Sequence, residues 1–202
     1  MPAMQDDLAL GGTRKDREDY LKAQREIEIR ALRRQFKEPG GLSKFVSYFW
    51  SVLEPKATLV EGKALEAVCL HLEAVTDGRI THLLINVPPG FMKSLLVNVF
   101  WPAWEWAIGN PSTRYVTFSY AASLTLRDNG RFRDLITSEK YLELFGREFA
   151  PRKIGEEKVS NNKTGWKLAS SVGGVGTGER GDRIIVDDPH NVKESESDVV
   201  RQ

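Results

Sequence analysis

Hydrophobic and polar positions change their period several times along the chain, and each change marks a new element. Residues 14–38 are dense in charge, with Leu21, Ile29, Leu32 and Phe36 recurring at roughly helical intervals. That pattern predicts an exposed helix with one thin apolar stripe, ended by Pro39-Gly40-Gly41. Helical periodicity returns over 42–53 and again over 61–76, where Leu65, Val68, Leu72 and Val75 share a face. Asp77-Gly78 is a turn. The run His82-Leu83-Leu84-Ile85-Asn86-Val87 is too short and too uniformly apolar for an amphipathic helix, and predicts a buried strand. Residues 93–101 read as helix, with a kink or restart expected at Pro102 because proline has no N–H to donate.

Arg114-Tyr115-Val116-Thr117-Phe118 predicts a second strand and residues 121–137 a helix, while 141–158 carries no clear period. Residues 158–161 and 166–169 predict short strands about a turn at 162–165. The five glycines within 170–181 predict a loop. Arg183-Ile184-Ile185-Val186 predicts a third buried strand, closed by Asp187-Asp188-Pro189. Strands alternating with helices imply an α/β fold whose parallel sheet is covered on both faces.

Composition narrows the class without choosing a function. The 202 residues are 41% hydrophobic and 28% charged, a globular balance, and the net charge of +1 argues neither for nor against a nucleic-acid partner. Cys69 is the sole cysteine, which rules out an internal disulfide or a cysteine zinc site. His71, His82 and His190 have no ligand-like spacing. Residues 1–12 lack the basic start and apolar run of a signal peptide, and no stretch approaches the ~18 apolar residues of a membrane helix. A soluble protein of a reducing compartment is expected.

The chemistry concentrates at two places. Binding a triphosphate requires backbone N–H groups around the phosphates, a helix amino terminus, a lysine ammonium and a hydroxyl for magnesium. Pro88-Pro89-Gly90-Phe91-Met92-Lys93-Ser94, between a predicted strand and a predicted helix, supplies these parts. Pro89, Gly90, Phe91 and Met92 form the cradle, with Gly90 permitting close backbone approach. Lys93 is the phosphate cation and Ser94 the Mg2+ ligand. The usual pattern has glycine immediately before the lysine and another five residues earlier; here Met92 and Val87 stand at those positions. A nucleotide hydrolase also needs acids at the end of a neighbouring strand. Asp187 is the candidate magnesium acid. Asp188 is the candidate that orients or deprotonates the attacking water. Glu194 and Glu196 are alternatives that read more plainly as residues opening a terminal helix capped by Ser195.

Taken together these residues resemble the large terminase subunit of tailed bacteriophages. Four stretches carry the likeness in the family's order: residues 71–78, the loop 86–94 with the following 95–104, Phe118-Ser119-Tyr120, and 173–191. The resemblance spans roughly residues 45–201. It implies an ASCE-type, RecA-like P-loop ATPase that uses ATP and Mg2+ to translocate double-stranded DNA into procapsids. The expected organisation is a charged helical extension over 1–41 and a partial ATPase domain over 42–202. The family's carboxy-terminal nuclease is expected to be absent from these 202 residues. The resemblance further implies a homo-oligomeric ring, a portal protein and a small terminase subunit as partners, and the cytoplasm of a bacterial host as location. In such rings an arginine from one subunit completes a neighbour's site. Arg127, Arg131, Arg133 and Arg180 are candidates, Arg180 being favoured because its loop leads into the acidic strand. The plainer reading pairs such arginines with Asp128, Asp134 or Asp182. Ser119 and Tyr120 either orient substrate or cap the next helix. Trp101, Trp104 and Trp106 read as core. Two other readings compete: a different RecA-like motor such as a helicase, and a non-catalytic terminase fragment.

Overall fold

The computed structural model describes residues 14–146, 149–171 and 178–189. The chain divides into two units at Gln35/Phe36. In the first, α1 (Arg14–Gln35) is a 22-residue helix with no buried residue. Its surface is laced by pairs one turn apart, such as Arg14 with Glu18 and Arg30 with Glu26, each worth a few tenths of a kcal/mol, roughly 0.3–0.5, at an exposed site. The expected apolar stripe is real in the sequence, but only its last member, Phe36, is buried, and Phe36 belongs to the second unit.

The second unit is built around β1 (Arg114–Ser119), whose neighbours shield both its edges. Five strands lie in the order β2-β3-β4-β1-β5, with β2 (Pro151–Ile154), β3 (Lys158–Asn161), β4 (Trp166–Ser171) and β5 (Arg183–Val186). β1 runs parallel to β4 and β5, whereas β2, β3 and β4 pair antiparallel. The sheet is therefore mixed, not wholly parallel as the alternation of elements suggested. The 158–161 and 166–169 strands form the hairpin expected of them. Asn161 Oδ1 accepts from Lys163 N at 2.8 Å and Gly165 N at 3.1 Å, an Asx turn that reverses the chain. A Cβ on Gly165 would lie 2.0 Å from the Pro111 carbonyl oxygen, so that turn admits no side chain. Two further corrections concern 141–158, which is not irregular. α7 (Glu139–Phe145) starts at Ser138, whose Oγ accepts from Tyr141 N, and β2 adds an edge strand. β4 also runs on to Ser171, past the start of the expected loop.

The largest departure is at 82–87. This apolar run enters no ladder, and Leu84 is 92% exposed. Its natural partner edge would be β5, but among the described residues β5 is bonded only to β1. A cavity of about 370 Å³, lined by Leu83, Leu84 and Ile85 on one side and Ile184, Ile185 and Val186 on the other, separates the two. Strand propensity needs a hydrogen-bonding neighbour, and among the described residues none lies there.

α6 (Ala122–Thr137) packs across β4 and β1, and α2 (Gly41–Leu53), α3 (Lys63–Thr76) and α5 (Trp101–Ile108) complete the helical layer. The core is aromatic. Phe36, Phe45, Phe49, Tyr141 and Phe145 are all fully buried and meet at ring separations of 4.5–6.5 Å. Trp101, Trp104 and Trp106 are core, as expected. Two buried acids tie the layers together. Glu73 caps α2 from α3, accepting from Gly40 N at 2.9 Å and Leu42 N at 2.8 Å. Glu105, on α5, receives the Arg183 guanidinium at 2.7 Å and the Tyr115 hydroxyl, pinning the starts of β5 and β1. The Asp77-Gly78 turn closes α3 with Arg79 N bonded to Ala74 O, Gly78 having φ of +74°.

Candidate phosphate-binding site

The loop 88–92 leads into a helical run made of α4 (Lys93–Leu95), a π segment (Leu96–Phe100) and α5. The restart expected at Pro102 takes this form: the wider π turn just before it absorbs the missing proline N–H. The first intrahelical bond is Leu96 N to Met92 O, so the amides of Lys93, Ser94 and Leu95 have no intrahelical acceptor. Gly90 has φ of +89° and Met92 φ of +56°. The left-handed conformation at Met92 explains why glycine is usual immediately before the lysine. A side chain there costs roughly 1–2 kcal/mol of backbone strain.

Asp187 and Asp188 are carried to this loop by β5. Asp187 N donates to Phe118 O at 2.8 Å, so its position is an extension of the β1–β5 ladder. At Asp188 the backbone turns sharply, with φ of +46°. Its carbonyl is held by Tyr120 N at 3.1 Å and more loosely by Ser119 Oγ at 3.4 Å. Ser119 and Tyr120 thus anchor the acidic turn, and neither side chain caps α6.

Lys93 joins the two motifs. Its Nζ lies 3.1 Å from Asp187 Oδ1 and is hydrogen-bonded to Asp188 Oδ1, 95 residues along the chain. Burial works against the ammonium charge, but the bonds and charges of Asp188 and Asp187 outweigh it and hold Lys93 above its ordinary range. The two acids are not equivalent. The Asp187 side chain is 8% exposed and that of Asp188 60%. The buried carboxylate is the fixed one, and the open one can meet solvent.

A cavity of about 480 Å³ covers the loop, lined by Pro89, Gly90, Phe91, Met92, Lys93 and Ser94 together with Asp188, Arg127, Arg131, Trp50 and Glu54. Asp187 borders the adjoining cavity, and Lys93 borders both. Ser94 and Asp188 line the loop cavity and Asp187 meets Lys93 beside it; hydroxyl and carboxylate oxygens are hard donors of the kind that suit Mg2+. Among the described residues no cluster of three or more acidic, histidine or cysteine side chains forms a metal cage.

The arginines separate clearly. Arg127 and Arg131 line the loop cavity but are paired, Arg127 with Asp128 at 2.8 Å and Arg131 with Glu54 at 3.0 Å. Arg133 pairs with Asp134 at 3.7 Å. Arg180 is exposed and lies outside the loop cavity's lining. Residues 190–202, including Glu194, Ser195 and Glu196, and the glycine-rich 172–177 lie outside the described residues. Sequence reading missed Asn98, which is 1% exposed and bonded to Asp187; a lone asparagine inside an apolar helical run was the available signal. No helix among the described residues is long and apolar enough to cross a membrane. No protein-family model, curated protein or solved structure matches the chain.

Proposed function

We propose that this chain is the nucleotide-hydrolysing motor part of a terminase-like DNA-packaging ATPase with a P-loop fold, acting on ATP with Mg2+. One observation carries the reading: the Lys93 ammonium bridges Asp187 and Asp188, so the loop lysine and the strand-end acids share one site. A structural turn has no need of a lysine wedged between two acids.

In the proposed reaction the loop amides and Lys93 take the β- and γ-phosphates, and Lys93 leaves the acids to do so. Ser94 and Asp187 would hold Mg2+, which when bound would supply neutralisation of charge on the phosphates. Asp188, the exposed acid, orients water and accepts its proton as the water oxygen bonds to the γ-phosphorus. The bond to the β-bridging oxygen breaks, giving ADP and phosphate. An arginine from a neighbouring subunit completes the charge stabilisation. Arg180 is exposed and without a role in its own loop cavity, which suits action in trans.

ATP turnover by the purified chain, alone and with duplex or single-stranded DNA, tests the reading. Stimulation by duplex DNA is the expected result. Stimulation by single strands alone points to a helicase-type motor, and nucleotide binding without turnover to a non-catalytic assembly component.

A further inference from the structure

Behind the Lys93–Asp187 pair lies a buried polar layer centred on Asn98, in the middle of the π segment. Its Nδ2 donates to Asp187 Oδ2 and to Asp128 Oδ2, each at 3.2 Å. Its Oδ1 is buried and has no hydrogen-bond partner among the described residues. Turning the amide over would place that oxygen against two carboxylates, so electrostatics fixes the assignment. An unpaired buried acceptor is costly, and an apolar residue of the same shape would avoid it. The amide is therefore retained for its two N–H groups. Asp128, 4% exposed, is bonded through its other oxygen to Arg127, which borders the loop cavity. A single carboxamide thus links the end of β5 to α6, and it sits in a π turn, a distortion frequent at functional sites.

We propose that Asn98 is a positioning residue for the Mg·nucleotide site: it holds the Asp187 carboxylate toward Lys93 and locks that orientation to α6 through Asp128. The proposal rests on the nucleotide reading above. It acts through Asp187 and touches neither phosphate nor water. Without the carboxamide, two buried carboxylates lose their shared donor and repel, and Asp187 turns from its place.

Asn98→Leu removes both N–H groups at similar volume, and Asn98→Ser keeps one donor. In the full chain, the Mg2+ concentration giving half-maximal ATP turnover is expected to rise at least about tenfold in Asn98→Leu, as is usual when an outer-shell partner of a metal ligand is lost. Asn98→Ser should fall between. Binding of a fluorescent ATP analogue without metal should be unchanged. An unaltered Mg2+ requirement overturns the proposal. Crystal structures of the unmodified chain and Asn98→Leu give a readout independent of turnover. An Asp187 side chain rotated away from Lys93 supports the positioning role, and an unchanged rotamer overturns it. Failure of the unmodified chain to hydrolyse ATP sinks the functional reading instead, leaving the rotamer comparison to decide the role of Asn98. Should Asn98→Leu not fold, Asn98→Ser carries both comparisons.

Discussion

Replacing Lys167 by methionine should flatten the pH dependence of stability between pH 7.5 and 9.0. Lys167 sits on β4 with no exposed surface, its Nζ 3.2 Å from Asn129 Oδ1 and 5.5 Å from the centre of the Phe132 ring. Burial lowers its pKa from 10.5 to about 7, the Asp128 charge pulling weakly the other way. Below pH 7 both folded and unfolded chains hold the proton, and the folded state bears the full cost of the buried charge, roughly 4–5 kcal/mol. Above pH 7 the folded chain releases it while the unfolded chain keeps it up to about 10.5, so stability rises with pH across that window. Integrated from pH 7.5 to 9.0, the gain is about 2 kcal/mol. Lys167→Met abolishes it. Asn129 Oδ1 then loses its donor, at about 1–3 kcal/mol, but that loss does not depend on pH. Urea unfolding of both proteins at the two pH values measures the difference, and all other titrating groups cancel in the comparison. Parallel pH profiles would refute the reasoning.

Three other outcomes follow from individual contacts. Glu73→Ala strips two charge-assisted bonds from the start of α2 and should cost about 2–4 kcal/mol, with Glu73→Gln costing less, measured by urea unfolding. Glu105→Ala leaves Arg183 half-buried without its partner and the buried Tyr115 hydroxyl without its acceptor, and should cost about 3–5 kcal/mol; the double variant Glu105→Ala/Arg183→Met should recover the Arg183 part but not the Tyr115 part, as a double-mutant cycle would show. At Met92, glycine should match the parent within about 0.5 kcal/mol, strain relief offsetting chain entropy. Valine there should lose more than about 1 kcal/mol, because a β-branched residue tolerates positive φ poorly; thermal unfolding distinguishes them.

What could be read from the sequence was set by how local each signal is. The charged helix, the α3 periodicity, the Asp77-Gly78 turn, the 158–169 hairpin and the 114–118 and 183–186 strands depend on neighbours in sequence, and they stand in the structure close to their expected bounds, although 183–186 is an edge strand with Ile184 and Val186 exposed and not the buried strand expected. Residues 82–87 do not, because a strand requires a partner that no local pattern reveals. α7 and β2 were obscured for the same reason: α7 is a short element held by Tyr141 and Phe145 packing into the aromatic core, and β2 a short edge strand held by its antiparallel pairing with β3. At the site, the loop and the paired acids were legible as motifs, and the structure adds their meeting through Lys93. Asn98, Asp128 and the anchoring of Asp188 by Tyr120 lie outside any motif. They are long-range pairings between an otherwise apolar helical run, a helix and a strand end, invisible until the chain is folded.

The central claim is that Lys93, Asp187 and Asp188 form a nucleotide phosphate site. Mg·ATP turnover by the unmodified chain, Lys93→Ala and Asp187→Ala, with folding verified by circular dichroism, tests it most directly. The account predicts measurable turnover that falls by at least about 100-fold in both variants, the scale of losing a charge-stabilising group in a reaction site. Turnover that persists undiminished in Lys93→Ala would contradict it.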